Sequence, residues 1–317
     1  MTDYIIKRIV ATIPVLIGIL FVAFVILYLI PGDPALAVAG PRADEATLCQ
    51  IRTDMGLDKP VFVRFFNYLA KVCTGNLGVS VISKKPVMES IMEKLPYTLG
   101  LAGFAMLLSI IIGIIMGIIG AITKGSFIDR LCTFFSVIGI SVPVFLSGLL
   151  LLYCFAMKLR WFPISGFSTG KIPLSVFILP AFTLGIRSAA FLARIVRSSM
   201  IEVLNKDFIR TAKAKGLSYS RIIIRHGLVN ALIPIITVIG LDLSSYLNGS
   251  VIVETIFGLP GIGRFAMDAI SQRDYPVVQG VVLMGAMIFI FVNLFIDIIY
   301  AQINPKVRDE MMGKHVQ

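Results

Sequence analysis

What most limits the folds open to this chain is the spacing of its charges, because five stretches run long enough without a cluster of them to cross a bilayer. About 30 Å of hydrocarbon takes about 20 helical residues. Ile9 to Gly32, Leu95 to Thr123, Leu131 to Met157, Gly227 to Val253 and Val277 to Ile303 all meet that length, the last two admitting one acid each, Asp242 and Asp297. A sixth stretch, Ile172 to about Val196, is interrupted by Arg187 and Arg194. It counts as a span because the basic loop after it would otherwise face the wrong side. Composition agrees: 57% of residues are hydrophobic and 15% charged, and the mean hydropathy is +0.91, far from a soluble domain. The expectation is an all-α polytopic membrane protein with six transmembrane helices.

Lys and Arg in short loops resist translocation and so set orientation. Lys7 and Arg8, then Lys124 and Arg130, then eight basic residues from Arg194 to Arg225, then Lys306, Arg308 and Lys314 alternate with loops holding only Lys158, Arg160, Lys171, Arg264 and Arg273. Both termini are therefore expected to be cytoplasmic. The net charge of +11 is mainly this topology signal, and nucleic-acid binding is the weaker reading. The first span exceeds the roughly 7 to 15 residues of a cleaved signal segment, despite Ala35-Leu-Ala37, and is read as a retained helix stopped by Pro31-Gly-Asp-Pro34. Asp33 to Lys94 forms an extracytoplasmic lobe between helices 1 and 2, with amphipathic stretches at Ala46 to Met55 and Val61 to Val72. The chain divides into 1–94 (first helix and lobe), 95–305 (five helices) and a tail, 306–317. Cys49 and Cys73 lie in the lobe without a C-x-x-C or a nearby His pair and read as unpaired thiols; Cys132 and Cys154 read as small packing residues. Gly113, Gly117 and Gly120 put small residues on one face of span two, for close packing inside the subunit.

Catalytic chemistry is hard to find. Gly258-Leu-Pro-Gly-Ile-Gly263 lacks the lysine and hydroxyl of a phosphate loop. There is no H-E-x-x-H and no G-x-S-x-G, and the two histidines, His226 and His315, both fall on the predicted cytoplasmic side. The chain reads as a non-catalytic subunit that binds no metal or cofactor itself. Gly258, Pro260, Gly261 and Gly263 read as a turn leading into a short surface or re-entrant helix, Arg264 to Ser271.

Between spans four and five lies Asp207-Phe-Ile-Arg-Thr-Ala-Lys-Ala-Lys-Gly216-Leu217, followed by Arg225-His-Gly-Leu-Val-Asn-Ala-Leu-Ile-Pro234. This basic segment reads as a helix-turn-helix, a docking surface rather than a catalytic centre. It resembles the EAA loop of ABC importer permeases, with Ala212, Ala214 and Gly216 at the small positions. Pro31-Gly-Asp-Pro34, Met55-Gly-Leu-Asp-Lys-Pro60, Arg197-Ser-Ser-Met200, Glu254 through Arg264, Arg273-Asp-Tyr-Pro276 and Asn304-Pro305 are similar to the oligopeptide, dipeptide, glutathione and nickel branch of that family. The resemblance spans about Tyr4 to Arg308. It implies a type I, MetI-like fold and a prokaryotic inner-membrane location. It also implies a second homologous permease, usually as a heterodimer, two ATPase subunits carrying ATP and Mg, and an extracytoplasmic substrate-binding protein. The EAA segment, about 200–234, would then couple the partner's nucleotide cycle to motion of spans three to six, with Asp207 and Arg221 at its edge. Short peptides are the first choice of cargo, with glutathione or a nickel chelate as alternatives; a secondary transporter or channel is the distant alternative.

Ionisable residues inside a membrane are functional hypotheses by default. Arg187 and Asp242 lie at matching depths and are expected to pair; otherwise Arg187 faces the pathway and meets a substrate carboxylate, or snorkels to the headgroups. Ser245, Asn248 and Ser250 on span five and Ser141 on span three are further pathway candidates. Glu254, at the outer end of span five, is a candidate external gate.

Overall fold

The computed structural model describes residues 2–29, 35, 43–54, 56, 58–163, 174–247 and 250–303. Asn248, the Pro31–Pro34 stretch and the tail lie outside them. Every named element is helical. In chain order these are α1 (Thr2–Leu29), α2 (Glu45–Asp54), α3 (Val61–Cys73), α4 (Val87–Ile122), α5 (Phe127–Ser141) and α6 (Val144–Leu151), which continues as a π-helical turn to Lys158. There follow α7 (Ser175–Leu204), α8 (Asp207–Ala214), and α9 (Tyr219–Arg221), which runs on as a π-helix to Leu228. The chain closes with α10 (Leu232–Leu247), α11 (Val251–Ile256), α12 (Ile262–Ser271) and α13 (Tyr275–Ile303).

Among the described residues, α4, α7 and α13 are long and apolar enough to cross a membrane, and five crossings result if each bent pair counts as one; the apolar part of α1, Val10–Ile26, is shorter. Three expected boundaries shift. Span two begins earlier, at Val87, so the expected domain edge at residue 94 falls inside a continuous helix. Span three is bent by 102° between α5 and α6, because Pro143 offers no N–H and drives Val142 to an extended ψ of 126°. Span five starts at Leu232 after a 61° bend, since the ring of Pro234 excludes a helical carbonyl at Asn230; it ends at Leu247, so Glu254 sits on the separate helix α11.

The architecture rests on α4 and α7, which run parallel and in close contact. Gly100 lies against Phe177, Gly113 against Leu192 and Gly117 against Val196. The small-residue face of span two thus packs within the subunit, as its spacing suggests. Two parallel neighbours require a return path, and α5–α6 supplies it: Asp129 meets Arg197, Gly139 meets Ala190 and Gly148 meets Thr183. Despite its bend, this pair travels the length of α7 in the opposite direction. On the far side α3 folds back on α1, its buried Phe65 making edge contacts with Phe21 and Phe24 at 5.2 and 5.7 Å. All four cysteines are free; Cys154 is exposed rather than packed.

Candidate functional site

The basic loop folds by ordinary helix chemistry. Ile209 and Ala212 of α8 are buried against Ile222, with Leu204 and Leu217 beside them. At its end the Leu217 N–H donates to the Ala212 carbonyl (3.4 Å) and the Gly216 N–H to the Lys213 carbonyl (3.0 Å), a Schellman closure that needs a left-handed residue. Gly216 provides it, at φ +74°, with open space where a Cβ would stand. The loop is thereby a small folded unit seated on the end of α7 through Leu204.

This geometry divides the sequence candidates. Ala212 and Leu217 turn inward and hold the loop together, so Ala212 does not offer the close approach to a partner that its size suggested. Asp207, Ala214, Gly216 and Arg221 are exposed, and Asp207 pairs with Arg210 one turn on, at 3.4 Å. Two aromatic side chains not singled out from the sequence, Phe208 and Tyr219, stand 40% and 55% exposed on the same unit. The available signal was an aromatic residue in a basic segment whose small apolar core was already filled.

Within the spans, Arg187 and Asp242 do not form a direct ion pair. Asp242 lies near the Ser188 side chain and within range of the Arg187 charge, with no contact of ion-pair length to the guanidinium. The reason is angular: successive helical residues point about 100° apart, and Ser188 is the buried one of the two, with Arg187 exposed. Ser245 and Ser141 are exposed and Ser250 half-buried.

Near the other end of α4, Glu254 is fully buried. Its Oε1 accepts from the Thr98 hydroxyl at 3.0 Å and its Oε2 from the Arg264 N–H at 2.8 Å, while Thr98 accepts from the Ile262 N–H at 2.8 Å. The carboxylate therefore caps the N-terminus of α12, where the helix dipole favours negative charge. Gly261 is needed there: a Cβ would lie 2.4 Å from the carboxyl carbon. Gly258 closes α11 with a φ of +65°, and Pro260 and Gly263 complete the turn. Together they knot α11 and α12 to α4.

The sequence matches the family described as binding-protein-dependent transport system inner membrane component over residues 109–309, and that family's N-terminal membrane component over residues 1–102. The chain belongs to this family. It is 40% identical over 308 residues to the glutathione transport system permease protein GsiC of Salmonella typhimurium, covering 97% of this chain and 99% of that one. It is 41% identical over 309 residues to a probable peptide ABC transporter permease, y4tP, of Sinorhizobium fredii, covering 96% and 99%. A solved inward-facing structure of the MetNI methionine ABC transporter aligns at a TM-score of 0.55 and 16% identity over 68% of this chain and 97% of that one, a likeness of fold. This protein is accordingly an inner-membrane permease subunit of an ABC importer with a MetI-like fold, a transport component whose family implies an ATPase and a substrate-binding protein as partners.

Two acids of the permease escaped the sequence reading. Asp129, 7% exposed at its side chain, holds Arg197 in a bidentate pair at 2.6 and 2.8 Å and accepts from the Gly125 N–H. Asp274, 3% exposed, accepts from the Ser80 hydroxyl at 2.5 Å and from the Val81 and Ile82 N–H groups. It fastens the turn before α4 to the corner between α12 and α13. Each acid flanks an apolar run, where an unscreened carboxylate needs a fixed partner.

Proposed function

We propose that this permease forms half of a translocation pathway for short peptides, or for the tripeptide glutathione, which the relatives' names support equally well. In this reading six spans cross the membrane with both termini cytoplasmic, and residues 33–94 form the extracytoplasmic lobe that faces the substrate-binding protein. A second, homologous permease supplies the other half, and α8 docks on one of two ATPase subunits that carry ATP and Mg. The observation that carries the coupling role is the exposed face of α8 and its closing turn: Asp207, Phe208 and Ala214, with Gly216 just beyond, lie at the surface of a unit whose own core is closed. A short helix with a finished interior and exposed aromatic edges suits insertion into a groove on another protein. Closure of the ATPase pair would then move α8, and α7 with it.

The test is ATP hydrolysis by the purified complex with its binding protein. Gly216→Val places a β-branched residue in the left-handed region, at about 1–2 kcal/mol, and Ala214→Glu puts a buried charge in the docked face. Both variants are expected to keep the permease folded and to lose ATPase co-purification or binding-protein-stimulated hydrolysis. Undiminished stimulated hydrolysis in both variants would remove α8 from the coupling path.

A further inference from the structure

The helix α7 is enclosed by its neighbours on every side but one. Its exposed positions after the first turns are Arg187, Phe191, Arg194, Ser198 and Glu202, at spacings of 4, 3, 4 and 4 residues, which place all five on a single stripe; Glu202, at the Leu204 end, pairs with Lys206 at 3.1 Å. A parallel stripe on α10 runs through Thr237, Leu241 and Ser245, and the Tyr246 hydroxyl, donating to the Leu184 carbonyl at 3.4 Å, ties α10 to α7. The one open face of the central helix therefore carries two guanidinium groups about 10 Å apart along the axis.

Their depth matters. In a 30-residue helix, Arg187 lies about 18 Å from the Ser175 end and Arg194 about 15 Å from the Leu204 end. Centred in a 30 Å hydrocarbon layer, Arg187 stands about 11 Å from the nearer boundary. That is deeper than its side chain can snorkel. Among the described residues neither arginine has a carboxylate within ion-pairing distance, so neither is held in an ion pair inside the subunit, and Arg187 feels Asp242 only at longer range. A lipid-facing stripe would be apolar, as the faces of α1 and α5 are, with Val15, Val22, Phe134 and Val137 exposed. A cationic stripe at this depth must face water or an anion.

Resting on the permease reading above, we infer that the Arg187–Arg194 stripe lines the translocation pathway and selects cargo bearing a free carboxylate. Guanidinium groups match a carboxylate's two oxygens and hold it without a tight cavity.

The experiment uses the complete complex, both permeases, ATPases and binding protein, in proteoliposomes, and measures uptake of a dipeptide against its C-terminal amide. Because the binding protein is the same throughout, its own preference cancels when the acid-to-amide uptake ratio is compared between variants. Arg187→Gln and Arg194→Gln are each expected to lower that ratio about tenfold, the scale of one charge-assisted hydrogen bond, and Arg187→Lys is expected to retain most of it. A ratio unchanged by either Gln variant would overturn the inference. So would loss of the assembled permease pair in both Gln variants with recovery in Arg187→Lys, which would make the arginines ties to an acid of the neighbouring subunit. Failure of the unaltered complex to couple ATP hydrolysis to uptake of any peptide would instead strike the permease reading itself.

Discussion

Replacing Gly117 with Ala adds one methyl at the tightest point of the α4–α7 contact. The new Cβ would lie 2.4 Å from the Cβ of Val196, 2.6 Å from its Cγ1 and 2.8 Å from the Ala193 carbonyl oxygen, where ordinary carbon contacts fall at about 3.5–4.0 Å. Rotamer change gives no relief, because the colliding atom is the first off the α7 backbone and Val196 is β-branched and fully buried. The helices must part by about 1 Å, and a gap of that size forfeits up to about half of each neighbouring dispersion contact. The cost expected from overpacking is about 1–3 kcal/mol. Gly103 is the control: nothing lies within 4 Å of its Cβ position, so Gly103→Ala is expected to be neutral or stabilising by up to about 1 kcal/mol. The assay is the midpoint temperature for loss of monodisperse protein in detergent. Adding Val196→Gly, which removes the colliding Cβ, to Gly117→Ala should cost less than the sum of the single changes, since the two sites touch. Equal midpoints for Gly117→Ala and Gly103→Ala would refute the claim that this contact sets the helix separation.

Asp129→Asn and Arg197→Gln should each destabilise by about 1–3 kcal/mol, less than for a fully buried pair because Arg197 is 31% exposed at its side chain, and the double variant by less than the sum; additive losses in the same assay would contradict a direct pair. Glu254→Gln turns one acceptor into a donor against the Arg264 N–H and removes the charge at the α12 N-terminus, at about 1–3 kcal/mol; faster amide exchange across Ile262–Ser271 would report it. Asp274→Asn weakens the hold on Ser80, Val81 and Ile82, and protease cleavage near residue 82 should rise; a resistant turn would mean that other contacts hold it.

The long apolar helices and the basic loop were legible because both depend on local composition: charge-free length for one, and a small-residue helix ending at glycine for the other; of the six expected spans, three to five reach crossing length among the described residues. Helix limits were less so. Val142-Pro143 and Pro234 bend two spans, yet each sits in an unbroken apolar run that reads as straight. The partners of polar groups were not legible at all. Asp129 and Arg197 are 68 residues apart, Thr98 and Glu254 156 apart; only the folded packing brings them together. Matching depth along two helices suggested that Arg187 and Asp242 would pair, but depth carries no angle: Arg187 is exposed, and it is Ser188, one position on, that is buried.

These ties also bear on how a push at the basic loop would travel. Leu204, Ile209 and Ile222 seat α8 on the end of α7, α7 is pressed on α4 by the Gly113 and Gly117 contacts, and Arg197 pins it to the start of α5. Close-packed interiors transmit strain rather than absorb it, so force on α8 should turn α4, α5 and α7 as one body. Spin labels at Lys213 on α8 and Lys124 just beyond α4, both exposed, test this in the assembled transporter. Their separation should stay constant between nucleotide-free and ATP-bound states while distances from Lys213 to the second permease change. A Lys213–Lys124 distance that shifts with nucleotide would place the hinge inside this bundle, at the Asn205–Lys206 turn, and not between the two permeases.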